Sequence, residues 1–453
     1  MDLLKLLARP EGKTLEFKRD LSSPEGVLRT IVAFSNSSGG TLVLGVEDGS
    51  HHVRGLSDPE ATEQRLVNLV SDRISPRIAP EIELVGWRRT HVLTVKVHIG
   101  SRPPYHLQPE GIDQGTFVRV GSTNRRADPF LVDELRRAAR GEAFDEQPIP
   151  ELDSEAIDFR VASESFAPVR ELAQRDLEPL GLLAAHRGRL VPTNGGLLLF
   201  GRERLRHFPD AWIQAGRFAG ADKSRLLDHR DIRTPLVQAI PETLDFLEKH
   251  LDRGFEIGRL RRVERQQFPA PAIREALVNA VVHADYSQRG APIRVALFLD
   301  RLEVESPGLL PAGLTVADLQ RGVSRLRNRV IGRVLHALGL VEQWGSGIHR
   351  IVSSCEQAGL GAPRFEELAA RFRVTLGGTR PGGPSLDATS RRILLMLSTS
   401  ESMLPAEIAR EIGLTSRATR SRLNALAAAG LVLVIGSGAN DPRRRFVLAA
   451  PPE

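Results

Sequence analysis

Two hydrophobic periods alternate along this chain. Val27, Leu28, Ile31, Val32 and Phe34 keep helical spacing. Asn36-Ser37-Ser38-Gly39-Gly40 then closes the helix with a glycine suited to a left-handed cap. Thr41–Val46 reads as a buried strand and Glu47–Ser50 as a turn. A helix is predicted at about Glu60–Ile74, and Val92–Val97 alternates as a strand. Farther on, Pro271–Tyr286 is strongly helical, Ile293–Phe298 and Leu302–Ser306 form a strand pair, and His349–Ala358 is a helix. Residues 387–450 read helix, helix, helix, strand, strand. Polar or Gly/Pro-rich breaks fall at Phe144–Pro150 and Gly377–Pro384, whereas Pro192–Gly196 reads as a turn inside a domain. The pattern predicts a multidomain α+β protein with units at 1–142, 190–376 and 387–453. A linker with a small helical segment spans 143–189, and a flexible linker spans 377–386.

The length of 453 residues is consistent, at roughly 100–200 residues per domain. With 41% hydrophobic and 26% charged residues, neither a disordered chain nor a coiled-coil rod is expected. No apolar run reaches the length of a membrane span, and Arg9 and Glu11 interrupt any secretory core. Cys355 is the only cysteine, which excludes an intrachain disulfide and zinc-finger chemistry and suits a cytoplasmic setting. A net charge of +6, carried almost wholly by Arg, favours an anionic partner such as nucleic acid. Gly12-Lys13-Thr14 imitates the end of a P-loop, but position 7 is Leu rather than Gly and no strand precedes it.

The C-terminal pattern places Leu423 and Leu426 inward on the third helix. Arg417, Arg420, Ser421 and Asn424 fall on another face, where a major groove accepts side chains. A loop with Arg443, Arg444 and Arg445 joins the two strands. This region resembles the winged helix-turn-helix family. The resemblance implies DNA binding through Arg417, Arg420, Asn424 and Arg444, and paired half-sites imply a homodimer.

In the middle unit, Glu275, Asn279 and His283 recur every four residues and so share one helix face. A carboxylate that activates water and an amide that holds Mg²⁺ suit a nucleotide site. Gly345 and Gly347 precede a helix whose free N–H groups suit phosphate. In this order the motifs resemble the GHKL (Bergerat-type) ATPase domain of bacterial transcriptional regulators. That resemblance implies ATP as ligand, Glu275 as general base, Asn279 as Mg²⁺ ligand, and His283, Gly308, Gly345 and Gly347 around the nucleotide. One departure concerns adenine. Ser306-Pro307-Gly308 stands where such domains carry Asp-x-Gly, with Glu305 the nearest carboxylate.

At the N-terminus, Glu11–Lys18 opens a strand on which Glu16 and Lys18 share a face. With Asn36–Thr41, Gly45–Asp48 and Phe117–Asn124, this region resembles the Schlafen/AlbA-type DNA-binding domain. The resemblance implies nucleic-acid binding, with Lys18, Arg119, Arg125 and Arg126 as phosphate contacts. Schlafen nucleases use a carboxylate cluster, and the resemblance implies Glu11, Glu16 and Asp48 (or Glu47) as its counterparts, able to share Mg²⁺ or Mn²⁺. Three function classes therefore stand. The first is an ATP-responsive DNA-binding transcriptional regulator, with DNA ahead of RNA. The second is a metal-dependent RNA nuclease, for tRNA and in phage defence. The third is a scaffold with an inert pocket.

Overall fold

Side chains next to helix starts set many of the boundaries. Asp58, Asp128 and Asp158 stand just before helices and accept backbone N–H groups from Ala61, Leu131 and Val161. Thr415 does the same for Ala418. The computed structural model describes residues 3–251, 253–257, 262–341, 346–377, 388–398, 402–428, 431–435 and 445–448. It is a multidomain α+β fold.

The first unit runs β1 (Leu15–Lys18), α1 (Pro24–Asn36), β2 (Gly40–Leu44), α2 (Pro59–Arg73), β3 (Glu81–Trp87), β4 (Thr90–Val97), β5 (Phe117–Val120), β6 (Thr123–Arg126) and α3 (Pro129–Arg140). Its sheet has the order β1-β2-β4-β3, with β1 and β2 parallel. Val27, Leu28, Ile31 and Phe34 of α1 share a core with Leu42, Leu44, Leu93 and Val95.

The second unit contains α4 (Phe159–Phe166), α5 (Asn194–Phe200), β7 (Ile213–Phe218), β8 (Leu226–Ile232), α6 (Leu236–His250), α7 (Ala270–His283), β9 (Ile293–Leu297), β10 (Arg301–Pro307), α8 (Arg329–Ala337), α9 (Gly347–Gln357), β11 (Arg364–Leu368) and β12 (Arg371–Gly377). One sheet of order β8-β7-β9-β10-β12-β11 supports it, antiparallel except for β7 against β9. Helix α7 packs on β10 and α9. Ile157, Ala162, Phe166 and Leu182, from the stretch expected as a linker with a helical segment, lie in this same continuous core.

The third unit comprises α10 (Ala388–Ser398), α11 (Pro405–Ile412), α12 (Ser416–Ala428), β13 (Val432–Ile435) and β14 (Arg445–Leu448), the two strands pairing antiparallel. Gly413 adopts φ 74° where the chain turns from α11 toward α12. Leu423 and Leu426 are buried with Ile393, Ile408 and Phe446, and Leu299 of the β9–β10 turn packs against this small core. No helix among the described residues is long and apolar enough to cross a membrane.

The first two units meet through a polar seam. Lys13 Nζ reaches the Glu367 carboxylate at 2.6 Å. Ser38 Oγ donates to the Leu314 carbonyl at 2.9 Å, and Gly313 N–H donates to the Ser37 carbonyl. Arg327 Nη2 pairs with Glu134 of α3 at 2.8 Å.

Asp145 is fully buried beside the start of α8, where its carboxylate accepts N–H groups of Arg329 at 3.0 Å and Ile331 at 2.9 Å. Burial pushes this carboxyl up to about 6, and the backbone donors only partly oppose that. A folded-state pKa above the unfolded one means that the folded chain holds an extra proton between the two values. Asp145 therefore stabilises most below about pH 4, and its contribution is lost as pH rises through about 6. Relative to Asp145→Asn, the wild type should lose up to about 3 kcal/mol between those limits, by urea midpoints at each pH. A difference between the two proteins that stays constant with pH would contradict this.

Candidate functional site

Helix α7 turns its apolar residues, Ile273, Ala276, Leu277, Val281 and Val282 among them, into the core. Its polar stripe is thereby left on one wall of a cavity of about 650 Å³. Glu275, Asn279 and His283 all line that cavity and are half-buried. Asn279 Nδ2 donates to Glu275 Oε1 at 3.2 Å, and Arg350 Nη1 meets Glu275 Oε2 at 3.3 Å. With its N–H given to Glu275, Asn279 has Oδ1 as the atom suited to a cation. Desolvation, and secondarily Arg327, push the His283 imidazole down to about 4, so it is neutral at physiological pH. Exposed Arg325 and Arg333 bring positive charge to the same wall.

Gly347, the first residue of α9, also lines the cavity. A Cβ there would come within 2.1 Å of Glu275 Oε1, so only glycine lets this helix start approach α7 so closely. Gly345 lies outside the described residues. Gly308, expected beside the nucleotide, does not line the cavity. Its φ is 101°, and a Cβ would lie 2.3 Å from Arg327 Nη1, so its smallness makes room for that arginine. Glu305 does not take the place of an adenine-reading carboxylate. Val304 and Ser306 face the cavity, and strand alternation sends Glu305 to the other side of the sheet. There Arg373 holds it at 2.5 Å, with Lys223 at 3.5 Å and Arg371 at 3.4 Å.

In the first unit, Arg119 is 1% exposed, which overturns its reading as a phosphate contact. Its guanidinium pairs with Glu16 and donates to the Gly12 carbonyl at 3.0 Å and Asn124 Oδ1 at 2.9 Å. It is an internal strut between the β5–β6 hairpin and β1. Glu16 is buried and also meets Lys18 Nζ at 2.5 Å, so both its oxygens are engaged by cations. Glu11 accepts the Phe17 N–H at 2.6 Å. Its carboxyl is pushed up by burial, and a hydrogen bond with Asp48 adds to the rise. The structure thus brings Glu11 and Asp48 together, with the Glu16 charge close enough to add to the rise, while both oxygens of Glu16 are taken by Arg119 and Lys18. No group of three His, Cys, Asp or Glu suited to a metal occurs among the described residues. Arg125 and Arg126 are exposed, Arg126 donating to Gln114 at 2.7 Å.

On α12, Arg417, Arg420, Ser421 and Asn424 are exposed while Thr419, Leu423 and Leu426 are buried. Arg444 and Arg443 lie outside the described residues, and Arg445 donates to Ser402 Oγ at 3.0 Å. The residues not singled out from the sequence are Arg350 and Glu134. Arg350 sits one helical turn after Gly347, a spacing that signals a shared face. Glu134 carries no sequence signal, because its partner Arg327 is 193 positions away.

Three family models match consecutive segments. Residues 11–128 match the model described as "Schlafen, AlbA_2". Residues 290–376 match HATPase_c_4, described as "Putative ATP-dependent DNA helicase recG C-terminal". Residues 386–432 match "Winged helix-turn-helix DNA-binding". Their order is the architecture read from the sequence: Schlafen/AlbA-like, ATPase-like, winged helix. No curated protein matches the chain. Among solved structures, the DIP2311 protein from Corynebacterium diphtheriae is 21% identical, covers 98% of this chain and 96% of its own, and superposes with a TM-score of 0.45. The N-terminal domain of a protein from Nitrosomonas europaea, named as related to the RecG DNA helicase, is 26% identical. It covers 28% of this chain and 90% of its own, with a TM-score of 0.23.

Removing Arg119 would strand the buried Glu16 carboxylate with Lys18 alone. Arg119→Ala should cost about 3–5 kcal/mol, as for a broken buried pair. Arg125→Ala and Arg126→Ala, on the surface, should each stay within about 0.5 kcal/mol. Denaturant midpoints decide it, and equal small effects at all three positions would show that Arg119 is not a strut.

Proposed function

We propose that the chain is an ATP-responsive, DNA-binding regulator of the cytoplasm, acting as a homodimer. The carrying observation is the cavity on α7, whose wall continues into the seam with the first unit. Arg325, Arg327, Arg329 and Leu309 line both the cavity and the neighbouring cleft between the units. The matched description of an ATP-dependent helicase C-terminus supports a nucleotide there, and the matched winged-helix description supports DNA on α12.

The residues present fit Mg²⁺-ATP. The volume of about 650 Å³ is ample, the amide and carboxylate donors are oxygen-bearing, and two exposed arginines favour polyanionic phosphate. Asn279 would hold Mg²⁺, and Arg325, Arg333 and the α9 start at Gly347 would hold the phosphates. Bound Mg²⁺ would neutralise phosphate charge. His283, uncharged at physiological pH, lines the same cavity. Arg350 engages Glu275 Oε2 at 3.3 Å, which favours sensing over rapid turnover.

A metal-dependent RNA nuclease is the second reading. The approach of Glu11 to Asp48 favours it, and the engagement of Glu16 by Arg119 and Lys18 weighs against it.

Asn279→Ala should abolish Mg²⁺-ATP binding with the fold intact, by calorimetric titration and circular dichroism. Glu275→Ala should keep binding and lose any hydrolysis. Unchanged nucleotide affinity in Asn279→Ala would sink the pocket assignment.

On the DNA side, Arg420→Ala should weaken duplex binding by about 1–3 kcal/mol if the residue reads a base edge. Equal affinity of this variant and wild type for every duplex would mean that the winged helix binds protein.

A further inference from the structure

The β3–β4 hairpin turns through two residues only, Arg88 and Arg89, between the paired Trp87 and Thr90. Beside it, the loop 47–52 is closed by the Val46–Val53 bridge. The two turns enclose an open cleft of about 620 Å³, lined by Ser50, His51, His52, Trp87, Arg88 and Arg89 among others, with no carboxylate in its lining. Arg88, Arg89 and His52 are exposed. Neither arginine is paired with a carboxylate among the described residues, and the Arg88 guanidinium lies 5.9 Å from the Trp87 ring centroid. Of the two acids on the loop, half-buried Glu47 is held by Arg54 at 2.5 Å and Ser50 at 3.1 Å, and exposed Asp48 is hydrogen-bonded with Glu11; neither lines the cleft.

The backbone here is strained. Four non-glycine residues among those described hold positive φ, and two of them, His51 and Arg88, both at 54°, line this cleft. A left-handed arginine is disfavoured where glycine would not be. The surroundings pin the strain in place. His51 Nδ1 meets the Leu7 carbonyl at 2.9 Å and its ring packs on Phe17 at 4.6 Å. Trp87 packs at the edge of the core formed by Leu3, Leu6, Phe17 and Val92. The result is an indole, two imidazoles and two guanidinia, the latter with no carboxylate partner among the described residues, around one opening.

We infer that this cleft binds single-stranded nucleic acid, the bases stacking on Trp87 and the phosphodiesters lying on Arg88, Arg89 and His52. Guanidinia answer phosphates in any nucleic acid. An indole answers only a base that is out of its stack, which a duplex does not offer. The site is separate from the α7 cavity and from α12, and does not rest on the regulator reading.

The test uses the full chain and fluorescence anisotropy with labelled oligo(U), oligo(dT) and duplex DNA of about 12 units. Both single strands should bind, and their ratio tells RNA from DNA as the source of the shared chemistry. Arg88→Gly combined with Arg89→Ala should weaken single-strand binding at least tenfold. The same variant should flatten the log–log salt slope by about 1.4, from two lost phosphate contacts. Because Arg88→Gly also relieves the left-handed strain, an unchanged or raised melting temperature excludes unfolding as the cause. Trp87→Phe should keep affinity within about threefold, and Trp87→Leu should lose about tenfold. Wild-type affinity in the arginine variant overturns the inference, as does failure of both single strands to bind. Polyglutamate that binds with the same dependence on Arg88 and Arg89, and none on Trp87, overturns it in favour of an acidic protein surface. Duplex binding lost in Arg420→Ala with single-strand binding intact separates this site from the winged helix.

Discussion

Arg327 is the interaction on which the arrangement of the two larger units depends. Its guanidinium pairs with Glu134 of α3 and donates to the carbonyls of His283 at 2.7 Å and Leu309 at 2.5 Å. One side chain thus joins a helix of the first unit, the end of α7, and the segment after β10. Burial opposes its charge, but Glu134 and Asp285 more than offset that and leave its pKa raised. Breaking such a buried pair from one side leaves a charge without compensation, at about 3–5 kcal/mol. Gly308 is the complement to this cost, since any side chain there would strike the guanidinium.

The same residue links the cavity to the first unit. Arg327 lines the cavity and the cleft between the units, and its next neighbours Asn328 and Arg329 extend the join. Asn328 Nδ2 donates to the Val282 and Ala284 carbonyls, and Arg329 Nη1 to the Gly141 carbonyl. An anion drawn to Arg325 or Arg327 therefore competes with Glu134 for positive charge. A ligand shifts such an arrangement only by its differential affinity for two states. The seam combines ion pairs and hydrogen bonds with apolar packing of Leu309 on Val118, Val120, Val132 and Leu135.

Local order was readable in the sequence wherever the period was strong. Val27–Phe34 lies inside α1, and Glu275, Asn279 and His283 share a cavity wall because spacing by four fixes a helix face. What the sequence left open depends on distant partners. Arg119 in Phe117–Gly121 reads as a surface cation, and only the fold shows Phe34, Glu16 and Asn124 around it. Glu305 reads as the carboxylate nearest to an adenine site, and strand alternation places it on the wrong side of the sheet. Asp145 stands in a polar, Pro-containing break, yet it is buried at a helix start 184 residues away.

The engagement of Glu275 gives the last step. A general base must be free to take a proton from water. Here one oxygen of Glu275 accepts from Asn279 and the other meets Arg350, on the helix that begins at Gly347. Helix α9 is therefore tied to α7 directly: any movement of its first turn also moves the guanidinium that holds Glu275. On the reading proposed above, phosphate binding and release of the carboxylate would be one event.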